Sequence, residues 1–167
     1  MELVAFEHLF NTYAKSVHAF IWRRSNGLDV GVSSVDDIEA DVWSIAWGRK
    51  ESAPLDQELE LAWLFQIARH VLANHIRKSV TRRKISNTLH PDEITALAAD
   101  SIVLLNEEIR EVLAVLNASE REVMALSVWE GMKPAQIAIV LGITPNAVSI
   151  RLNKARKKIS DYLERNQ

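Results

Sequence analysis

The sequence predicts an all-α protein with two small helical domains joined by a linker, the C-terminal one a helix-turn-helix. Apolar side chains recur at steps of three and four residues in several stretches, which is the period of an amphipathic helix. Proline, glycine and short polar side chains stand where those stretches begin and end. Positive charge is concentrated in two separate stretches with acidic residues between them. We therefore expect domains at 1–84 and 104–167, with a linker at 85–103.

The first two helices are predicted in an acidic N-terminal stretch. Apolar spacing predicts one over residues 3–24 and another over about 35–47. A serine at position 33 or 34 can cap the second helix, and the helix dipole favours the acids of its first turns. Trp43 and Trp47 lie four positions apart and form an apolar strip beside those acids. Such a strip suits packing in the core or, alternatively, anchoring of a partner protein.

A long third helix is predicted from about Glu58 to Lys78 or beyond, and one of its faces is cationic. Residues 66–84 contain six Lys or Arg and no acid, unlike the mixed charges of an ordinary solvated surface. A face of this kind would follow the phosphates of a nucleic acid, while Trp63 and Asn74 would meet exposed bases. The other side chains placed away from the apolar stripe are Arg69, His70, Arg77 and Lys78.

Two helices are predicted directly after the linker. Apolar spacing predicts the first over about 104–116. Ser119 and Glu122 have the spacing of a capping box, so the second helix should cover about 120–130. Gly131 is suited to a left-handed cap at the end of that helix.

The last two helices have the pattern of a helix-turn-helix. Pro134 suits the first turn of a short helix, which Gly142 would end. Thr144 can cap the next helix, with Pro145 at its first position. A short helix, a glycine-containing turn and a second helix with a polar, basic face form the motif whose second helix enters the major groove of DNA.

The outer face of the last helix carries hydrogen-bonding side chains near its start and cations towards its end. Side chains near the start would read base edges or sugars, and the cations would neutralise phosphates. The predicted base-reading residues are Asn146, Ser149, Ile150, Asn153 and Lys154, and the predicted phosphate-binding residues are Arg151, Arg156, Lys157 and Lys158. An ordinary three-helix bundle with a solvated cationic end is the simpler alternative, because the helix dipole also favours cations there.

Composition excludes several classes of protein. The 167 residues include no cysteine, which excludes disulfides and thiolate chemistry, and the five histidines form no metal-binding motif. No nucleophile motif or glycine-rich phosphate loop is present, so we expect no cofactor, no metal and no enzymatic activity. Glu2 and Glu7 stand where a signal peptide needs positive charge, and the longest apolar runs are too short for a bilayer. We therefore expect a cytoplasmic protein without membrane insertion.

Three stretches resemble a compact bacterial RNA polymerase sigma factor of the extracytoplasmic-function (ECF) group of the sigma-70 family, and together they span nearly the whole chain. Residues 36–47, DDIEADVWSIAW, are similar to the helix that binds the polymerase clamp. Residues 62–78, AWLFQIARHVLANHIRK, are similar to the helix that engages the downstream promoter box. Residues 130–159, EGMKPAQIAIVLGITPNAVSIRLNKARKKI, are similar to the promoter-reading helix-turn-helix.

The resemblance implies a sigma factor that binds core RNA polymerase and promoter DNA and directs promoter-specific initiation, with an anti-sigma factor as a further partner. It implies that the helix from Thr144 to Lys158 reads the upstream box. The polymerase contacts that it implies are Asp37, Ile38, Asp41 and Trp43. Ile150 stands where the family often has a small polar residue, so an atypical upstream sequence is expected. Because the net charge is −2, the free chain should bind DNA weakly until polymerase sets the spacing of its two cationic surfaces.

Two other functions fit the residues alone. A free-standing repressor or activator would use the same C-terminal helices as a dimer and bind a palindromic operator without polymerase. A helical adaptor would bind protein and would tolerate removal of charge at Arg151, Lys154 and Arg156. An enzyme has the least support, because no nucleophile, base and orienting group can be assembled from the motifs.

Overall fold

The computed structural model describes residues 3–25, 34–82 and 107–166, and these residues form seven α-helices and no strand. The helices are α1 (Leu3–Ser25), α2 (Val35–Gly48), α3 (Gln57–Arg82), α4 (Glu107–Ala114), α5 (Ala118–Val128), α6 (Pro134–Leu141) and α7 (Pro145–Arg165). The predicted all-α class is confirmed. The predicted linker at 85–103 lies outside the described residues, so the division into two domains stays a prediction.

The first three helices pack against one another around a shared apolar core. Before α2, the Ser34 hydroxyl accepts the amide of Asp37 while the Asp37 carboxylate accepts the amide of Ser34. This reciprocal cap satisfies two amides that helix geometry leaves without partners. Inside the core, Phe20 of α1 stacks on Phe65 of α3 with ring centroids 4.2 Å apart. Burying each ring contributes about 1.5–3 kcal/mol through the water it displaces.

The predicted apolar strip of Trp43 and Trp47 divides in the structure. Trp43 is buried, with the rings of Phe6 and Phe10 of α1 edge-on against it at centroid distances of 6.2 and 4.7 Å. Phe6 also lies edge-on against Trp47, at 5.0 Å, but Phe10 does not cover that indole. Trp47 stays partly exposed, and the Lys50 ammonium lies 4.2 Å from its ring centroid. Periodicity along α2 does not distinguish the two indoles, because the rings that cover Trp43 belong to another helix.

The cap of α5 differs from the prediction. Asn117 is the N-cap: its side chain accepts the amide of Glu120, and the Glu120 carboxylate accepts the amide of Asn117. The predicted capping box of Ser119 and Glu122 is therefore wrong by two residues. The Ser119 hydroxyl donates to the Asn117 side chain instead, and the Glu122 carboxylate contacts Arg69 of α3.

The turn between α6 and α7 confirms the predicted helix-turn-helix. Gly131 and Gly142 both have positive φ, +64° and +66°, which a residue with a Cβ rarely adopts. Gly142 ends α6, and the Thr144 hydroxyl then accepts the amide of Ala147 to begin α7. The chain bends by 107° between the two helices, within the range of a helix-turn-helix.

The N-terminal half of the chain (α1 to α3) and the C-terminal half (α4 to α7) pack on each other. The main contact between them is that of α3 with α6. Buried apolar residues from both groups, among them Leu64 and Ile137, belong to one continuous cluster. Of the described helices, none is by itself long and apolar enough to cross a bilayer. The α6 and α7 pair passes that length and composition test only when both helices are counted together across their bend.

Replacing Phe65 by alanine should lower the free energy of unfolding by about 3–5 kcal/mol, because it leaves a cavity beneath Phe20. Urea denaturation followed by circular dichroism measures the change. Leu55→Ala is the control, since Leu55 is fully exposed and its removal should change stability by less than about 0.5 kcal/mol. Equal effects of the two substitutions would contradict the position of Phe65 in the core.

Candidate nucleic-acid interface

The outer face of α7 is open to solvent. α7 buries Val148, Leu152 and Ala155 against the other C-terminal helices, which turns the opposite side of the helix outward. The predicted DNA-facing residues that are exposed there are Asn146, Ile150, Asn153, Lys154, Arg156 and Lys157. Because these positions recur at helical spacing, the structure groups hydrogen-bonding side chains and cations on one accessible surface.

Three other predicted residues, Thr144, Ser149 and Arg151, are hydrogen-bonded within the protein or partly buried. The Thr144 hydroxyl is the helix cap described above, and the Ser149 hydroxyl donates to the carbonyl of Pro145 at 3.0 Å. Arg151 is half-buried. These contacts fix the start of α7, so the exposed side chains leave the helix in defined directions.

Lys158 ties α7 to the start of α5. Its ammonium lies 2.7 Å from the Glu120 carboxylate, which is almost completely buried. Burial by itself would raise the pKa of Glu120. The hydrogen bonds from Lys158 and the Asn117 amide, together with the charges of Lys158 and Lys154, hold that pKa below its ordinary value of 4.5. Lys158 is therefore a structural cation in addition to its predicted place near phosphates.

The predicted nucleic-acid face of α3 is divided between covered and exposed residues. The Arg69 guanidinium contacts the Glu122 carboxylate at 2.8 and 3.4 Å, and both side chains are 15 % exposed. Trp63 is only 6 % exposed. Glu122 belongs to the C-terminal group of helices, so Arg69 is engaged by a carboxylate from the other half of the chain.

The remaining predicted residues of α3 lie further along the helix and are exposed. The Arg77 guanidinium donates to the Asn74 side chain at 2.8 Å, and a ring nitrogen of His70 lies 2.6 Å from the carbonyl of Gln66. Lys78 is also exposed. An accessible cationic surface thus begins at Arg77, about two turns after Arg69.

The four predicted polymerase contacts on α2 also divide by exposure. Ile38 and Trp43 are buried in the core, whereas Asp37 and Asp41 are exposed. Hydrogen bonds from the amide and the hydroxyl of Ser34 lower the pKa of the Asp37 carboxyl. The Asp41 carboxylate lies 2.8 Å from a ring nitrogen of His75 on α3. One face of α2 therefore exposes carboxylates to solvent, while the opposite face is apolar and buried.

One group of side chains has the composition of a metal site. Within the described part of the chain, His18, Asp36 and Glu39 offer ligand atoms that all lie within 4.8 Å of one another. Glu39 already accepts the indole N–H of Trp43 at 3.3 Å and lies 2.8 Å from a ring nitrogen of His18. Two of the three groups, His18 and Glu39, are therefore already engaged within the protein.

Charged contacts between the two halves are the feature that sequence reasoning missed. Arg23 and Arg24, at the end of α1, both contact the carboxylate of Glu130. The partners are more than one hundred positions apart, and no local pattern links them. The one available signal was the Arg23-Arg24 pair at the end of an apolar helix, which alone does not identify an acidic partner.

Comparison with known proteins decides the family. A family model described as Sigma-70, region 4 matches residues 106–159. The ECF RNA polymerase sigma factor SigL of Mycobacterium tuberculosis is 30 % identical over 145 residues, which cover 82 % of this chain and 78 % of SigL. The chain belongs to the ECF sigma factors. The RNA polymerase sigma factor CarQ of Myxococcus xanthus is 27 % identical over 164 residues, covering 95 % of this sigma factor and 89 % of CarQ.

Solved structures share the fold of this sigma factor. CnrH, in complex with the cytosolic domain of CnrY, gives a TM-score of 0.60 at 23 % identity, covering 99 % of this chain and 92 % of CnrH. RpoE, in complex with the anti-sigma factor NepR from Bartonella quintana, gives 0.62 at 19 % identity, covering 98 % of this chain and 99 % of RpoE.

The family assignment settles the broad function. As a sigma factor, the protein binds core RNA polymerase and promoter DNA and directs transcription initiation. The alternative of a free-standing dimeric regulator is wrong, because the similarity to sigma factors continues through the N-terminal half and is not confined to the helix-turn-helix.

The lowered pKa of Glu120 predicts a dependence of stability on pH. A lowered pKa means that the ionised carboxylate stabilises the fold above pH 4.5 and that this contribution is lost as the pH falls through the folded-state pKa. Glu120→Gln should therefore cost about 1–3 kcal/mol at pH 7, through loss of the charged hydrogen bond to Lys158. Glutamine can still complete the cap at Asn117, so the substitution removes mainly the charge.

Urea denaturation of both proteins from pH 7 to pH 3 measures this effect, and the difference should shrink towards the acid end. Glu107→Gln is the control, because Glu107 is exposed and its salt bridge with Arg110 is 4.0 Å long. A difference that is constant across the pH range would rule out a contribution from the ionised Glu120.

Proposed function

We propose that α7 reads the upstream promoter box and that its exposed outer face makes the contacts. The residues that read bases or adjacent sugars are Asn146, Ser149, Ile150, Asn153 and Lys154. Arg151, Arg156 and Lys157 neutralise phosphates, and Thr144 positions the start of the helix. The observation that carries this proposal is a polar and cationic helix face that stays open after a 107° turn, while the opposite face is buried.

The N-terminal half is proposed to bind core polymerase and the downstream promoter box. Exposed Asp37 and Asp41 on α2, over the buried Ile38 and Trp43, support a polymerase contact through this helix. The downstream box would be bound by α3, with Arg69, His70, Asn74, Arg77 and Lys78 on the backbone and Trp63 near unstacked bases. The predicted linker at 85–103 would connect the two halves through polymerase.

The location, the lack of enzymatic activity and the regulation of this sigma factor are inferred from its family and composition. It acts in the cytoplasm, without enzymatic activity of its own and without a cofactor. An anti-sigma factor is proposed as a regulator, because the related RpoE structure contains the anti-sigma factor NepR. The net charge of −2 predicts that both promoter contacts are weak until polymerase holds them together.

Run-off transcription with core RNA polymerase tests the whole proposal. Core polymerase with the purified chain should initiate at a subset of promoters from the source genome, and core polymerase alone should not. The isolated chain should bind the same fragments weakly in a gel shift. Absence of initiation on every promoter, with helical content intact, would contradict the proposal.

Ile150→Ser should change the upstream sequence preference of the sigma factor. Ile150 is 46 % exposed on the outer face of α7, where an apolar side chain can contact the methyl group of thymine. Loss of that contact should change discrimination at one base pair by about 1 kcal/mol, which is roughly the value of burying one methyl or methylene group. Selection of active promoters from a library randomised in the upstream box measures the preference.

Leu163→Ser is the matched control, because Leu163 is an apolar residue of the same helix with 45 % exposure, beyond the proposed DNA-binding residues. Its preferences should match those of the wild type. An unchanged preference for Ile150→Ser, or an equal loss of activity on all sequences, would show that Ile150 does not read a base.

A further inference from the structure

Three side chains that can ligate a metal meet where α1 packs on the start of α2. His18 belongs to α1, Asp36 and Glu39 belong to α2, and their ligand atoms all lie within 4.8 Å of one another. Asp36 and Glu39 are three positions apart, a spacing that places both carboxylates on one side of the helix. Carboxylates at this spacing, with a ligand from a facing helix, are the means by which helical bundles hold metal ions.

His18 and Glu39 point their ligand atoms at one shared position. The Nδ1 atom of His18 lies 2.8 Å from Oε2 of Glu39. Since a carboxylate only accepts, Nδ1 donates in this contact. A metal ion would take the place of that proton, which moves to Nε2 or to solvent. Two atoms bound to one tetrahedral Zn²⁺ are about 3.4 Å apart, so the pair has to separate by only about 0.6 Å.

A buried indole holds Glu39 in this orientation. Its other oxygen, Oε1, accepts the N–H of Trp43 at 3.3 Å, and Trp43 belongs to the core. Oε2 is thereby directed towards His18. Contacts of this kind to the second atom of a ligand change metal affinity by about 10–100-fold, because they fix the ligand before the ion arrives.

Asp36 supplies the third ligand. It is exposed, and among the residues that the structure describes its carboxylate forms no hydrogen bond or salt bridge. It can therefore rotate towards His18 and Glu39 without breaking a contact. The helix dipole also favours acids in a first turn, but it does not account for a histidine beside them. An ion between Asp36 and Glu39 would relieve the repulsion of two like charges.

The donor set determines which ions fit. One imidazole nitrogen and two carboxylate oxygens suit Zn²⁺, Co²⁺ and Ni²⁺, whereas Mg²⁺ and Ca²⁺ prefer oxygen ligands only. Water completes the coordination, because the His18 side chain is 46 % exposed. No local motif reveals the group, since His18 and Glu39 are 21 positions apart in the sequence.

We propose that His18, Asp36 and Glu39 bind one divalent ion of the Zn²⁺ class, which fastens α1 to the start of α2. This site does not depend on the proposed function. Its effect on transcription does, because it rests on the proposed polymerase contact of α2. The ion cancels carboxylate charge on both sides of Asp37, and this loss of charge weakens the contact with core polymerase.

Isothermal titration calorimetry with ZnCl₂, on the full chain without an affinity tag, tests the site. The wild type should bind one Zn²⁺, and MgCl₂ should give no binding at the same concentrations. Asp36→Ala keeps the contact of His18 with Glu39 and should weaken zinc binding by at least about tenfold. His18→Ala should abolish zinc binding.

Asp41→Asn is the matched control. Asp41 lies on the same helix and forms another contact of a carboxylate with a histidine, 2.8 Å from a ring nitrogen of His75. Within the described ranges no third ligand joins that pair, so Asp41→Asn should leave zinc affinity unchanged. No zinc binding by the wild type, equal binding by His18→Ala, or loss of binding in Asp41→Asn would overturn the site.

Thermal denaturation followed by circular dichroism measures the fastening of α1 to α2. With ZnCl₂ at one hundred times its Kd, the Tm of the wild type should rise by about 5–10 °C. The Tm of Asp36→Ala should rise much less, and an equal rise would show that zinc acts elsewhere. Should His18→Ala not fold, Asp36→Ala decides, because Asp36 lies exposed at the surface.

Fluorescence anisotropy of the labelled chain with core RNA polymerase separates the site from its effect. Zinc should lower the affinity of the wild type for core polymerase by roughly two- to fivefold, the value of an exposed ion pair, and should not change that of His18→Ala. One bound Zn²⁺ with unchanged polymerase affinity would uphold the site and contradict the proposed polymerase contact of α2.

Discussion

The packing of α3 is the constraint on which the rest of the structure depends. α1 and α2 pack against it from the N-terminal half, and α6 packs against it from the C-terminal half. Its sequence therefore satisfies several neighbours at once: Phe65 stacks on Phe20, Gln66 donates to the α6 backbone, and Arg69 binds Glu122. A helix with the predicted nucleic-acid-binding side chains is thereby also the central structural element of the chain.

Local chemistry explains how much of the fold could be predicted. The helix-turn-helix follows from Pro134, Gly142 and Thr144, because a helix start, a left-handed turn and an N-cap each depend on a few neighbouring residues. The cap of α5 was misplaced because Asn117 with Glu120 and Ser119 with Glu122 offer the same spacing. Local spacing cannot choose between them.

The parts that could not be predicted depend on distant residues. Trp43 is buried by aromatic rings of α1, and the two arginines at the end of that helix meet Glu130 from the other half. Periodicity identifies the helix face on which a residue lies, and it contains no information on which later helix covers that face. The exposed face of α7 was predictable for the converse reason, since nothing in the described chain covers it.

Gln136 has a consequence for the position of α6. Its side-chain oxygen accepts the amide of Lys133 at the start of α6, and its nitrogen donates across the interface to the carbonyl of Glu58. The first hydrogen bond belongs to the start of α6, and the second holds α6 on α3. One side chain therefore couples the N-terminal geometry of α6 to its packing on the central helix, and the corner with α7 is oriented relative to α3 through that coupling.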